Sequence, residues 1–341
     1  MVDLPTLSHL RAITDSTGVL QHAIGPVPNR EFGYCTDDVA RALAVTVFRL
    51  EHVPDDPDAH AILRTCLAFL VYAAMPDGRF HNFMSYERTW LDDVGTEDSF
   101  GRAVYGLGIA VAHLKDEGLR AVALRLLKGA VPHIVHLQYL RAHAYAAIGV
   151  AYAFSQIPEA RHALEASRDF LLRAHTAQSF PDWDWFEDIL TYDNARLPEA
   201  MLRIGVALGD SEAIALGLRS LGFLRGIVIE DGQFVPIGNA GWYPRGGNRA
   251  RYCQQPLEAT AMVEAQIAAY STSRDPNDVA TARIAHAWYL GKNSAGLVPV
   301  RGSGCCDGLA SDELNPNMGA ESTLAYLMSS YALQNVIVKA H

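Results

Sequence analysis

The chain has 341 residues, half of them hydrophobic, and its 28 basic against 38 acidic residues give a formal net charge of −10. The basic residues are scattered and form no stripe, which excludes nucleic acid and an anionic membrane surface as expected partners. The most apolar windows, CLAFLVYAAM and AYAAIGVAYAF, fall short of the ~20 residues a spanning helix needs.

In chain order, apolar residues at i, i+3, i+4 and i+7 mark about twelve helices of two alternating kinds. Amphipathic windows lie at 58–74, 118–136, 158–175, 210–226 and 275–290, with a weaker one at 6–17. Windows that are apolar almost all round, and therefore belong inside, lie at 37–50, 97–114, 140–155, 193–208, 256–270 and 320–337. Outer then inner, repeated six times with no linker, predicts an all-α fold: an (α/α)6 toroid of six helical hairpins in a single domain, 1–341. The N-terminal stretch MVDLPTLSHLRAITDSTGVLQHA lacks the basic and apolar regions of a secretory signal, so a cytoplasmic location is the expectation.

Cys35, Cys66, Cys253, Cys305 and Cys306 lack CxxC spacing and predict reduced thiols, with neither a disulfide framework nor a structural zinc site. There is no dinucleotide fingerprint, P-loop, GxSxG or HExxH. The histidines in the helical windows form no ligand pair, and only His81 sits in a motif loop, so no metal and no cofactor are expected.

Polar, aromatic loops precede five inner helices: YCTDD, FHNFMSYERTWLDDVGTEDSFGR, SFPDWDWFEDILTYDNARLPEA, FVPIGNAGWYPRGGNRARYCQQPLEA and CCDGLASDELNPNMGAEST. Inner helices of antiparallel hairpins all start at one end of the ring, so these loops converge on one mouth. Thr36, Thr96 and Asp193 suit N-caps with acids in the first turn, where the helix dipole favours them. Asp38 is the better placed of the Asp37–Asp38 pair to turn into the cavity.

Four of the five tryptophans, Trp90, Trp183, Trp185 and Trp242, lie in these loops with Tyr243 and predict stacking platforms for sugar faces. Tyr34, Asp184, Asn194, Gln254 and Gln255 are further candidates to hold hydroxyls. Arg41, Arg102, Arg249 and Arg251 are candidates to hold an anionic group or orient an acid. Paired carboxylates in an aromatic cleft point to glycosidic bond cleavage, with one acid protonated for the leaving oxygen and another ionised to activate water or attack. Candidate acids are Asp38, Glu97, Asp98, Asp184, Glu187, Asp193 and Glu321, with Glu187 or Asp193 against Asp38 or Glu97 as the favoured pair.

The motifs YCTDDVARAL, NFMSYERTWLDDVGTEDSFGRAVYGLG, WDWFEDILTYDNARLPEAML, QQPLEA and GAESTLAYL resemble a bacterial family of glycosidase-like domains. That family also occurs fused to, or encoded beside, sugar nucleotide glycosyltransferases, which implies a functional link to such an enzyme. More distantly, the architecture is similar to the six-hairpin glycosidases, the unsaturated glucuronyl hydrolases and the N-acylglucosamine 2-epimerases, and the likeness implies carbohydrate chemistry. The paired histidines of an epimerase centre are not seen in the motif loops.

The expectation is therefore a glycoside hydrolase acting on an oligosaccharide or polysaccharide, inverting by analogy with many six-hairpin enzymes. The alternatives are a sugar epimerase or isomerase, a glycoside phosphorylase with its anion site at Arg249 and Arg251, and a non-catalytic glycan-binding or glycosyltransferase-associated module.

Overall fold

The computed structural model describes residues 4–339. Among them are twelve α-helices: α1 (Ser8–Ala12), α2 (Thr36–His52), α3 (Pro57–Ala73), α4 (Glu97–His113), α5 (Glu117–Ala130), α6 (Leu140–Ala153), α7 (Arg161–Gln178), α8 (Arg196–Leu208), α9 (Ser211–Val228), α10 (Pro256–Ser273), α11 (Pro276–Ala287) and α12 (Ala320–Lys339). The even-numbered helices pack side by side, and α12 returns to α2, closing an inner ring. The odd-numbered helices from α3 to α11 form the outer layer, as the alternation of patterns predicts. Among the described residues, no helix is long and apolar enough to cross a membrane.

Glycine sets the close approach of α2, α4 and α6. A Cβ on Gly106 would overlap the backbone of Ala40, and one on Gly108 the backbone of Gly149.

The first hairpin departs from expectation. The window at 6–17 yields only α1, because the Thr14 hydroxyl donates back to the Leu10 carbonyl and Asp15 Oδ1 accepts from the amides of Thr17 and Gly18, closing a turn. The chain continues as an antiparallel hairpin, β1 (Leu20–Ile24) and β2 (Val27–Cys35), in the register Leu20↔Tyr34 and Ile24↔Val27.

Capping differs between the layers. The outer helices α3, α5, α9 and α11 start on Asp56, Asp116, Asp210 and Asp275, each of which accepts from first-turn amides. The inner helices start at the opposite end, and α6, α8 and α10 carry no side-chain cap there. The mouth formed by their N-termini therefore presents amides and positive dipole ends to whatever carboxylates the loops bring.

Thr96 caps α4 as expected, but two other predicted caps are corrected. Cys35 caps α2, its sulfur accepting from the Asp38 amide, while Thr36 opens the helix with its hydroxyl on the His81 carbonyl. Asp193 lies ahead of α8, fully buried, with a left-handed φ of 53°.

Candidate active site

The mouth is built from charged and polar residues in the first two turns of mostly apolar helices. Asp37, Asp38 and Arg41 come from α2, Asp98 and Arg102 from α4, Arg141 and Tyr145 from α6, Arg196 and Glu199 from α8, Glu258 from α10, and Glu321 from α12. Loops add Glu187, Tyr192, Asp193 and Asp307.

Arginines tie these elements together. Arg41 sets Nη1 2.7 Å from Glu321 and Nε 3.0 Å from Asp37, with Asp38 4.0 Å from Nη1. Arg102 reaches Asp37 at 2.9 Å, Asp98 at 3.7 Å and Asp193 at 3.7 Å, so one guanidinium spans carboxylates from α2, α4 and the loop before α8. Arg141 holds Glu187 with two parallel bonds of 2.9 Å and donates to the Tyr192 carbonyl at 2.6 Å. Deeper in the ring, Arg196 pairs with Glu199 and Glu264. The Tyr145 hydroxyl donates to Asp193, and the Tyr192 hydroxyl to Asp98. Glu258 accepts from the Asp193 amide, which ties α10 to the strained residue.

Carboxyls outnumber arginines here, so some of them are held toward the neutral form. Burial, the Asp37 charge and the Glu321 charge push Asp38 up to about 7. Burial and Asp193 push Glu258 up to about 8, and burial with Glu321 pushes Asp307 up to about 6. Burial also acts on Glu321, but Arg41 and Arg102 outweigh it and hold this carboxyl below the usual glutamate range. A proton-holding carboxyl and an ionised one thus flank Arg41, the arrangement acid–base chemistry requires.

Of the residues expected from sequence, the mouth brings together Asp38, Arg41, Asp98, Arg102, Glu187, Asp193, Asn194 and Glu321. Trp242 stands beside Tyr192, with ring centroids 6.5 Å apart, and Gln255 is the N-cap residue of α10. The favoured acids differ in role from expectation, because Glu187 is clamped by Arg141 and Asp193 is sealed beneath Tyr145.

Other expected residues lie elsewhere. Glu97 turns to the amides of Gln138 and Tyr139. Asp184 pairs with His175 at 2.6 Å and Arg219 at 3.5 Å in the outer layer. Tyr34 donates to Asp15. Trp90 packs on Phe69, Tyr72 and His81. Trp183 and Trp185 are buried against Phe223 of α9 and are no platforms. Tyr243 pairs with Leu190 in a two-stranded ladder and packs on Trp183. Gln254 is fully buried and accepts from Trp288. Arg249 and Arg251 both pair with Glu230, so their charge goes to the protein's own carboxylate and not to an open anion site.

Sequence reasoning passed over Arg141, Tyr145, Tyr192, Arg196, Glu258 and Asp307. A charged residue in the first turn of an otherwise apolar helix was the available signal for Arg141, Arg196 and Glu258.

Neither a protein-family model nor a curated protein matches the chain. Solved structures do match it. A sugar epimerase from a ruminal bacterium superposes with a TM-score of 0.74 at 13% identity, over 96% of this chain and 95% of that one. The cellobiose 2-epimerase of Bacillus thermoamylovorans gives 0.75 at 9%, over 98% and 96%. An α-1,6-mannanase of Salegentibacter sp., an inactive variant with two adjacent aspartates replaced and in complex with α-1,6-mannotetrose, gives 0.63 at 13%, over 96% and 98%. The chain therefore has the (α/α)6 fold implied by its distant likeness to six-hairpin glycosidases.

Proposed function

We propose that the protein is a carbohydrate-active enzyme that hydrolyses a glycosidic bond at the N-terminal mouth of its ring. The observation that carries this reading is the pair of unlike carboxyls around Arg41: Asp38, held toward its protonated form, and Glu321, held ionised. Asp38 protonates the leaving oxygen and Glu321 activates water, with Arg41 Nη1 in reach of both carboxyls, and inversion is the expected outcome by analogy with many six-hairpin enzymes. Fold neighbours that process sugars support the carbohydrate, and the mannanase with two adjacent aspartates replaced supports carboxylate chemistry.

Epimerisation is the second reading, because the fold neighbours include sugar epimerases, but two of the buried histidines are engaged within the protein. His143 bonds Ser167 and the Leu137 carbonyl, His286 bonds Ser329, and burial pushes both down to about 4. His22 Nδ1 accepts from the Asn317 side-chain amide.

The test is a panel of oligosaccharides followed by proton NMR. Release of a reducing end with inverted anomeric configuration, lost in Asp38→Asn and in Glu321→Gln, is expected. Interconversion of a reducing sugar without cleavage would replace this reading with an epimerase.

A further inference from the structure

We infer that the mouth selects uncharged, hydroxyl-rich sugars and excludes uronate, sulfated and phosphorylated rings, and inorganic phosphate with them. This rests on the mouth being a sugar site, but not on the bond that is broken there.

Recognition of an anionic sugar needs an arginine fork that faces the ligand. The arginines of this mouth turn most of their donors to the protein's own carboxylates, leaving only the buried Arg41 Nη2, Arg102 Nε and Arg196 Nε without a partner. Arg141 is bidentate to Glu187, Arg41 is divided between Asp37 and Glu321, and Arg102 is divided among Asp37, Asp98 and Asp193. These three guanidinium side chains keep only 6–11% of their surface exposed, whereas Asp37, Asp98, Glu187 and Glu321 keep 21–38%. The surface offered to a ligand is thus made of carboxylate oxygens with the cations behind them. Asp307 adds a further carboxyl within reach of the Glu321 charge.

Carboxylate oxygens accept from sugar hydroxyls and repel an incoming anion. The uncapped helix N-termini, which would otherwise draw an anion, already face these acids, and the Asp193 amide is on Glu258. Arg41 Nη2, Arg102 Nε and Asp193 Oδ1 are buried in the floor without a hydrogen-bond partner. Left-over donors and acceptors together suit a hydroxyl, which is both, and not an anion, which can only accept.

The experiment is calorimetric titration of glucose, mannose and galactose, alone and as oligosaccharides, against the corresponding uronates and 6-phosphates, at low and high salt. Each anionic sugar should bind at least about tenfold more weakly than its neutral parent at low salt, with the gap narrowing as salt screens the mouth. Asp98→Asn should narrow the gap as well, because Arg102 then loses one of its carboxylates. A uronate or phosphorylated sugar that binds as tightly as its parent, absence of binding by every neutral sugar, or faster glycan cleavage in inorganic phosphate would each overturn the inference. Neutral binding in this order without cleavage of any glycan would remove the hydrolase reading and leave this one standing. Cleavage of a uronate glycan at the mouth would do the reverse.

Discussion

The ring has two mouths made from opposite ends of the same six inner helices, and they are chemically unlike. The far mouth, at the helix C-termini, holds a cavity of ≈400 Å³ lined by Phe48, His113, Tyr152, Val206, Ile267 and Asn335 among others. Its deepest carboxyl, Glu264, is drawn inward to Arg196 and Tyr105. The near mouth crowds acids and arginines onto uncapped helix N-termini, where the macrodipole favours carboxylates. Volume therefore does not locate the chemistry in this fold. Helix polarity does, because one end of the ring stabilises carboxylates and the other does not.

The largest expected effect sets the two mouths against each other. Asp38→Asn and Glu321→Gln should each lower kcat by roughly 10²–10⁴, the range of general acid–base catalysis, with circular dichroism unchanged. Val206→Ser at the far mouth should leave kcat within about twofold, the ordinary outcome for an exposed substitution. Loss of cleavage in the far-mouth variant alone would invert the comparison.

Stability should follow the opposite order. Phe48, buried in α2 at the far mouth, should cost about 3 kcal/mol when truncated to alanine, measured by urea unfolding. Asp38→Asn should cost much less, because it removes a carboxyl that burial already disfavours.

The pH profile sharpens the account of the near mouth. Cleavage needs Asp38 protonated, so kcat/KM should fall as pH rises through about 7. It also needs Glu321 ionised, so the acid limb should lie below the usual glutamate range. The Cys35 thiol donates to Asp38 Oδ2 at 3.1 Å and so favours the ionised carboxylate. Cys35→Ala should therefore move the alkaline limb upward.

The smallest effect concerns Glu258. Its folded pKa, about 8, lies above the unfolded value, so the folded protein binds this proton more tightly. The stability it contributes is fully present below the unfolded pKa and is lost as pH rises toward 8. Glu258→Gln should flatten the fall of Tm between acid and mildly alkaline pH by a few degrees, about what a kcal/mol-scale change produces in a domain of this size.

The ring was legible in the sequence because outer helices such as α7 alternate charged and apolar positions while inner ones such as α6 are apolar all round. The acids of the near mouth were legible for the same reason, since Asp37, Asp38, Asp98 and Glu321 stand in the first turns of helices that are otherwise mostly apolar. Pairing was not legible. Arg141 with Glu187, Arg102 with Asp37 and Arg41 with Glu321 join residues far apart in the chain, and no local pattern records which acid ends up clamped and which is left accessible. The tryptophans misled because a loop that crosses the outer layer needs plugs of its own: Trp183 and Trp185 fill the space over α9. The window at 6–17 misled because local turn chemistry at Thr14 and Asp15 stops the helix early.

The most direct test of the central claim compares Asp38→Asn with the unaltered protein on a native glycan and on the glycosyl fluoride of the same sugar, whose departure needs no proton. If Asp38 is the acid, kcat/KM on the glycan should fall by about 10³-fold or more while that on the fluoride stays within about tenfold. An equal fall on both substrates, or no fall on the glycan, would contradict the account.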